Sequence, residues 1–370
     1  MANLLDGIQP MLLMGPGPSC VYDEVTEAIG KPTLGHMDPY YIKIMDATKE
    51  QLQTLLNTKN RASWMISGTG SSGMETCFVN LVEPGDRVLV LANGFFSERM
   101  VEVAERLGAD VDVLSFDWGT PLVPERVAEQ LKKGPYAIVA MVHSETSTGV
   151  RNPAQEIGNL VKPTGALFLV DCITSLGCIP VNMDSWHCDA LYSCSQKGLA
   201  CPPGLAPVSF SDRAMEKVAK RKTRVPNWYL DMSLLLKYWD GTPRVYHHTA
   251  SSNLLYGMYQ ALSMILAEGP DAVYARHQAM HERLESGLAK IGLSLFVKPG
   301  CRLPQLNTVT IPDTVNDVAV RSRLRNEMLI EIGSGLGPLA GKIWRVGVMG
   351  HTARPENVDR LLGALKVCLV

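Results

Sequence analysis

Ala166-Leu167-Phe168-Leu169-Val170-Asp171 is a short apolar run that stops on a carboxylate. Ala190-Leu191-Tyr192-Ser193-Cys194-Ser195-Gln196-Lys197-Gly198 follows it, a second apolar run that leads into a polar turn. Unbroken apolar runs of this length between turn signals are the mark of strands buried on both faces. The same unit recurs upstream. Ser63 to Ser67, Arg87 to Leu91, Val111 to Leu114 and Ala137 to Val142 read as strands, separated by amphipathic helices at Ser97 to Leu107, Pro124 to Leu131 and Pro153 to Val161. Strands alternating with helices predict an α/β fold with a mostly parallel sheet covered on both sides. Pro207 to Phe210 reads as an antiparallel addition.

The pattern changes after about Tyr246. Helical patterns at Asn253 to Ala267 and Pro270 to Ile291 follow each other with no strand between. Strands are expected near Ser294 to Val297, Leu306 to Ile311, Met328 to Ile332 and Lys342 to Val348, with helices at Val315 to Asn326 and Pro355 to Val367. The division predicted is an N-terminal arm (1–20), a large domain (21–252), and a linking helix with a smaller α+β domain (253–370).

Composition narrows the function. The chain has 370 residues, 46% hydrophobic and 19% charged, and its 35 basic against 37 acidic residues give a formal charge of −2. That balance argues against a nucleic-acid binder. The basic cluster Lys217 to Arg224 is explained at least as well by a solvated helix end as by an anion site. Nine scattered cysteines match no zinc spacing and read as reduced thiols. The N-terminus has no basic leader, no apolar stretch is long enough to span a membrane, and the last residues are not a peroxisomal signal. A cytosolic protein is the expectation.

The chemistry gathers at strand ends. In open α/β sheets ligands sit at the carboxyl ends of strands, where Asp171 falls. A strand ending in Asp and another running into Ser-Gln-Lys can hold pyridoxal phosphate, with the carboxylate facing the pyridine nitrogen and Lys197 forming an imine with the aldehyde. Pro202-Pro203-Gly204 would stiffen the lysine's base. Gly68-Thr69-Gly70-Ser71-Ser72-Gly73 opens a helix whose free N–H groups suit a phosphate. It is neither a P-loop nor a dinucleotide fingerprint. Asn93-Gly94-Phe95-Phe96 and His143-Ser144-Glu145-Thr146 also follow strands. Phe96 reads equally as a ring-stacking residue or a core one, and His143 as a satisfied buried histidine. Arg345 alternates with apolar residues on a strand and so needs a carboxylate, either a substrate's or the protein's own. Tyr246-His247-His248-Thr249 places adjacent histidines on an extended segment, where they should point opposite ways and make a poor metal pair. No metal is expected.

These motifs, with Met14-Gly15-Pro16-Gly17-Pro18, Arg302-Leu303-Pro304 and Gly335-Leu336-Gly337-Pro338, run in order through nearly the whole chain. The chain resembles the class V, fold type I, pyridoxal-phosphate aminotransferases of the alanine–glyoxylate/serine–pyruvate group. The resemblance implies a large domain with a seven-stranded sheet and a smaller C-terminal domain. It makes Lys197 the imine lysine, Asp171 the pyridinium partner, Phe96 the stacking ring and Thr146 a contact at the ring edge. Thr69, Gly70, Ser71 and Gln196 would form the phosphate cup, with Ser195 also counted among the cofactor contacts. Tyr246 and Thr249 would reach the partner subunit's phosphate, which implies a homodimer with shared sites. Arg345 would clamp the substrate carboxylate beside Gly17. Relatives often carry tryptophan where Phe96 stands and histidine where Ser71 stands, and cysteine desulfurases stack a histidine. The implied reaction is ping-pong transfer from alanine or serine to glyoxylate or pyruvate. Alternatives are a 2-aminoethylphosphonate–pyruvate or 3-hydroxykynurenine transaminase, or a non-catalytic protein of the same fold.

Overall fold

A computed structural model describes residues 3–369 of the chain. The predicted arm and small domain extend past these limits by residues 1, 2 and 370. At the centre lies a seven-stranded sheet of β1 (Ala62–Ser67), β2 (Arg87–Ala92), β3 (Asp110–Ser115), β4 (Ile138–Val142), β5 (Leu167–Asp171), β6 (Ala190–Tyr192) and β7 (Leu205–Phe210), in the order β1-β7-β6-β5-β4-β2-β3. β7 is antiparallel to both neighbours and the other pairings are parallel. This is the α/β sheet that the sequence predicts. Every residue of β4, β5 and β6 is buried, which is why these strands carry no polar alternation. Edge strand β3 has no buried residue and carries Asp110 and Asp112, charges that discourage further pairing.

Helices at Gly70–Leu81, Phe95–Arg106, Pro124–Leu131 and Ala154–Val161 connect the strands. The structure adds helices that the sequence reading lacks, at Asp23–Ile29, Pro39–Leu55, Asp212–Ala219 and Met232–Trp239. Three of them start on a side-chain cap: Asp38 accepts from Tyr40 N and Tyr41 N, Ser211 from Ala214 N, and Asp231 from Ser233 N. The Lys217 to Arg224 cluster is indeed a helix end. Lys217 pairs with Asp86 at 2.8 Å, and Arg221 donates to the carbonyls of Asn80 and Val82 at 2.8 and 2.7 Å. It thereby satisfies orphan groups at the end of the Gly70–Leu81 helix.

A second core surrounds a three-stranded antiparallel sheet of Leu306–Thr310, Gly333–Ser334 and Ile343–Gly347. The Ser252–Glu268 helix contributes Leu255, Leu262 and Ile265 to the large core, whereas the Pro270–Lys290 helix gives Val273 to the large core and Leu284 and Leu288 to the small one. The strand expected at Ser294 to Val297 is reduced to one bridge between Leu295 and Val309. The one expected at Met328 to Ile332 shortens to Ile330–Glu331, because Leu329 leaves the preceding helix with a φ of 54°. Those two residues pair in parallel with Leu12 and Leu13 in a separate two-stranded sheet, and Leu12 and Met14 of the N-terminal arm join the second core.

Candidate active site

Asp171 ends β5, opposite Val142 of β4 and Tyr192 of β6. Its Oδ1 accepts from Ile173 N at 2.7 Å, and the buried Tyr192 hydroxyl nearby makes no hydrogen bond of normal geometry. Burial pushes the Asp171 carboxyl up to about 7, despite the Ile173 bond and the charge of Lys197. A carboxylate so poorly compensated favours a cationic partner.

Lys197 lies past β6 and is 9% exposed. Its Nζ donates to Pro16 O at 2.5 Å. Desolvation lowers its pKa, and the positive charge of Arg345 adds to this against Cys194, Asp171 and Glu145. A larger share of uncharged amine results, as a nucleophile requires. The arm holds this geometry. Ser19 N donates to Gln196 O at 2.9 Å and Ser19 Oγ to Lys197 O at 2.8 Å. Gly17, at φ +112°, passes so close that a Cβ there would stand 3.1 Å from the lysine's Cδ and Cε. Gly17→Ala is therefore expected to cost about 1–3 kcal/mol of local strain and to lower turnover more than thermal stability. Paired kinetic and melting measurements would check this.

Thr69 begins the Gly70–Leu81 helix without a side-chain cap, and Gly70 N and Ser71 N find no backbone acceptor. Such free N–H groups at a helix start favour an anion. Gly70 has no room for a side chain, since a Cβ would come 2.9 Å from Ile173.

Phe96 lies in the first turn of the Phe95–Arg106 helix, and that turn is organised by Glu145. This buried carboxylate accepts from Ser147 Oγ at 2.6 Å, Ser147 N at 3.1 Å, Ser97 N at 3.2 Å and Phe96 N at 3.5 Å. The sequence reading gave Glu145 no role. Nothing in the sequence marks it: Gly94, where any side chain would collide with Glu145, reads as an ordinary turn glycine.

Gly17, Thr69, Gly70, Ser71, Phe96, Gln196 and Lys197 line one cavity of about 220 Å³, joined by Pro18, Ile173 and Pro203. Arg345 stands on the small sheet, 7% exposed, and its Nε donates to Ser334 O at 2.7 Å. Among the described residues no carboxylate forms a salt bridge with it. Burial pushes its pKa down to about 10, only partly offset by Glu145. Its strand reaches the lysine through the arm: Gly347 N donates to Met14 O at 2.8 Å.

Six predicted residues do not line the cavity: Asp171, Arg345 and four others. Thr146 is buried with its hydroxyl 2.5 Å from that of Thr174. Ser195 donates to Pro202 O at 2.6 Å, inside the Pro-Pro-Gly turn. Tyr246 and Thr249 are exposed, Tyr246 at 57%. Between them the histidines do not point apart as expected: His247 Nδ1 and His248 Nδ1 meet at 2.8 Å, because this segment is not a strand. Among the described residues no cluster suits a metal.

Pyridoxal phosphate fits the residues present. The buried Asp171 carboxylate suits its ring nitrogen, the free N–H groups of Gly70 and Ser71 its phosphate, and the lysine amine its aldehyde. Gln196 Oε1, buried without a partner, is a further polar group turned to this site.

A model of the class-V aminotransferase family matches residues 20–361. An alanine–glyoxylate aminotransferase of Drosophila melanogaster is 40% identical over 95% of this chain and 91% of its own. An (S)-ureidoglycine–glyoxylate transaminase of Bacillus subtilis is 36% identical over 97% and 90%. The crystal structure of an alanine–glyoxylate aminotransferase from Nostoc sp. superposes with a TM-score of 0.96 at 46% identity, covering 100% of both chains. With the family model spanning nearly its whole length, the chain belongs to the class-V aminotransferases, enzymes that work with pyridoxal phosphate.

Proposed function

We propose that the chain transfers the amino group of a small amino acid, alanine or serine, to glyoxylate or pyruvate in two half-reactions at one site. The observation that carries this reading is the single buried guanidinium of Arg345, which forms no salt bridge with a carboxylate among the described residues and whose charge is felt at Lys197. One cation suits one α-carboxylate, as a donor without a second acidic group requires. The alanine–glyoxylate relatives support the same pairing.

When bound, the cofactor supplies the electron sink that makes the substrate's α-proton removable. The chain's residues do the rest. Lys197, with its lowered pKa, takes and returns that proton. Asp171 holds the ring nitrogen protonated. Thr69, Gly70, Ser71 and Gln196 grip the phosphate, Phe96 covers a ring face, and the Gly15-Pro16-Gly17 arm keeps water from the lysine. Thr146 and Ser195 support the ring edge and the lysine turn from behind.

The exposed Tyr246 and Thr249 find their role in a homodimer, reaching the phosphate of the partner's site. Exposed Trp228, Tyr40 and Val245, at 61%, 65% and 52%, support such a contact. No helix among the described residues is long and apolar enough to cross a membrane. The nine free cysteines, six of them buried, support a cytosolic setting.

Arg345→Gln removes a charge-assisted contact of about 2–3 kcal/mol. It should lower kcat/KM for the amino donor about 30- to 100-fold, chiefly through KM, with cofactor absorbance unchanged. The reading itself is tested by adding amino acids singly to cofactor-loaded protein and recording loss of the visible band. Alanine or serine should discharge it fastest. Discharge only by aspartate, glutamate or (S)-ureidoglycine would overturn the assignment.

A further inference from the structure

A second cleft, of about 500 Å³, shares no lining residue with the active-site cavity and lies where Arg151 and the start of the Ala154–Val161 helix face the Gly300–Cys301 turn. His143 forms part of its wall and is 5% exposed. The ring packs edge-on to Trp186, with centroids 4.6 Å apart, and Nδ1 lies 2.8 Å from Ser175 Oγ. That hydroxyl already donates its one proton to Ser144 Oγ at 2.7 Å. It can only accept from the imidazole, so Nδ1 carries the ring proton. Burial holds the ring neutral, with its pKa pushed down to about 3. Nε2 is left as a lone-pair acceptor on the cleft wall, without a partner among the described residues.

A positive end faces it. Arg151 is exposed, its backbone N donates to Cys301 O at 2.8 Å, and no carboxylate among the described residues forms a salt bridge with it. The Ala154–Val161 helix starts at the same rim without a side-chain cap, and Gln155 N and Glu156 N have no backbone acceptor. Asn152 adds nothing, because its carboxamide is consumed by Asn93, Val142 and Leu122. Glu156 contributes the one carboxylate on the lining.

We propose that this cleft binds a free α-amino acid in addition to the one that reacts. Its carboxylate would lie against Arg151 and the helix N–H groups, and its ammonium would donate to His143 Nε2 and pair with Glu156. A simple anion would set a lone pair against Nε2 and a charge against Glu156. A simple cation would be repelled by Arg151. A zwitterion satisfies both ends, and a 2-hydroxy acid would satisfy Nε2 and Arg151 but leave Glu156 uncompensated. The inference stands on this cleft alone and does not depend on which donor the active site prefers.

The probe is 2-aminoisobutyrate, an α-amino acid without an α-proton, which cannot be turned over. Equilibrium dialysis against cofactor-loaded enzyme gives total binding, while the visible band reports the active site only. Two molecules per chain are expected, one of them spectrally silent. Arg151→Gln should weaken the silent site at least about 10-fold and leave the spectral change intact, whereas Arg345→Gln should do the reverse. Glu156→Gln should weaken 2-aminoisobutyrate but not 2-hydroxyisobutyrate at the silent site. A single equivalent on the native enzyme, or a second equivalent that Arg151→Gln does not affect, would overturn the proposal.

Discussion

Lys197→Ala is expected to reduce amino-group transfer at least about 10⁴-fold, since nucleophile and proton carrier are lost together. The protein should nonetheless remain folded. The amine makes one side-chain hydrogen bond, to Pro16 O, and its burial already disfavours the charged form, so an unchanged or higher melting temperature is expected without cofactor. Adding ethylamine should restore a fraction of the lost proton transfer, because a free amine can enter the space the side chain vacates. Full activity in the variant, or loss of activity explained by unfolding, would remove Lys197 from its assigned role.

Asp171→Asn should have the next largest effect, about 100-fold or more, corresponding to a lost charged hydrogen bond of about 2–3 kcal/mol. The amide cannot hold the ring nitrogen protonated. Cofactor-free protein offers a second readout with a definite sign. The folded-state pKa of Asp171 is raised from 3.8 to about 7. Its destabilising effect is therefore absent below about pH 3.8, grows as pH rises, and is complete above about 7. Without cofactor, the asparagine variant should melt higher than the parent at pH 8 and nearly equal to it at pH 4. With cofactor present, the order at pH 8 should reverse.

Strands β2, β4 and β5 are legible because burial on both faces writes them as unbroken apolar runs, and their ends mark where Asp171 closes β5 and where the polar turn carrying Lys197 follows β6. Ser294 to Val297 misled for a related reason. Leu293, Leu295 and Val297 are all apolar and Leu293 and Val297 are buried, yet only Leu295 finds a bridging partner on the small sheet. Glu145 was illegible because its role depends on contacts with Phe96 and Ser97, which lie nearly fifty residues away along the chain. The Ser195 hydroxyl could equally have faced the cofactor, and only the folded Pro202-Pro203-Gly204 turn shows what it bonds. Adjacent side chains point apart only on a strand, and the segment holding His247 and His248 is irregular.

Treating the cofactor-loaded enzyme with borohydride and mapping its peptides by mass spectrometry tests the assignment of Lys197 most directly. The cofactor's mass should appear on the peptide containing Lys197 and vanish in Lys197→Ala. Label on a different lysine, with position 197 unmodified, would contradict it.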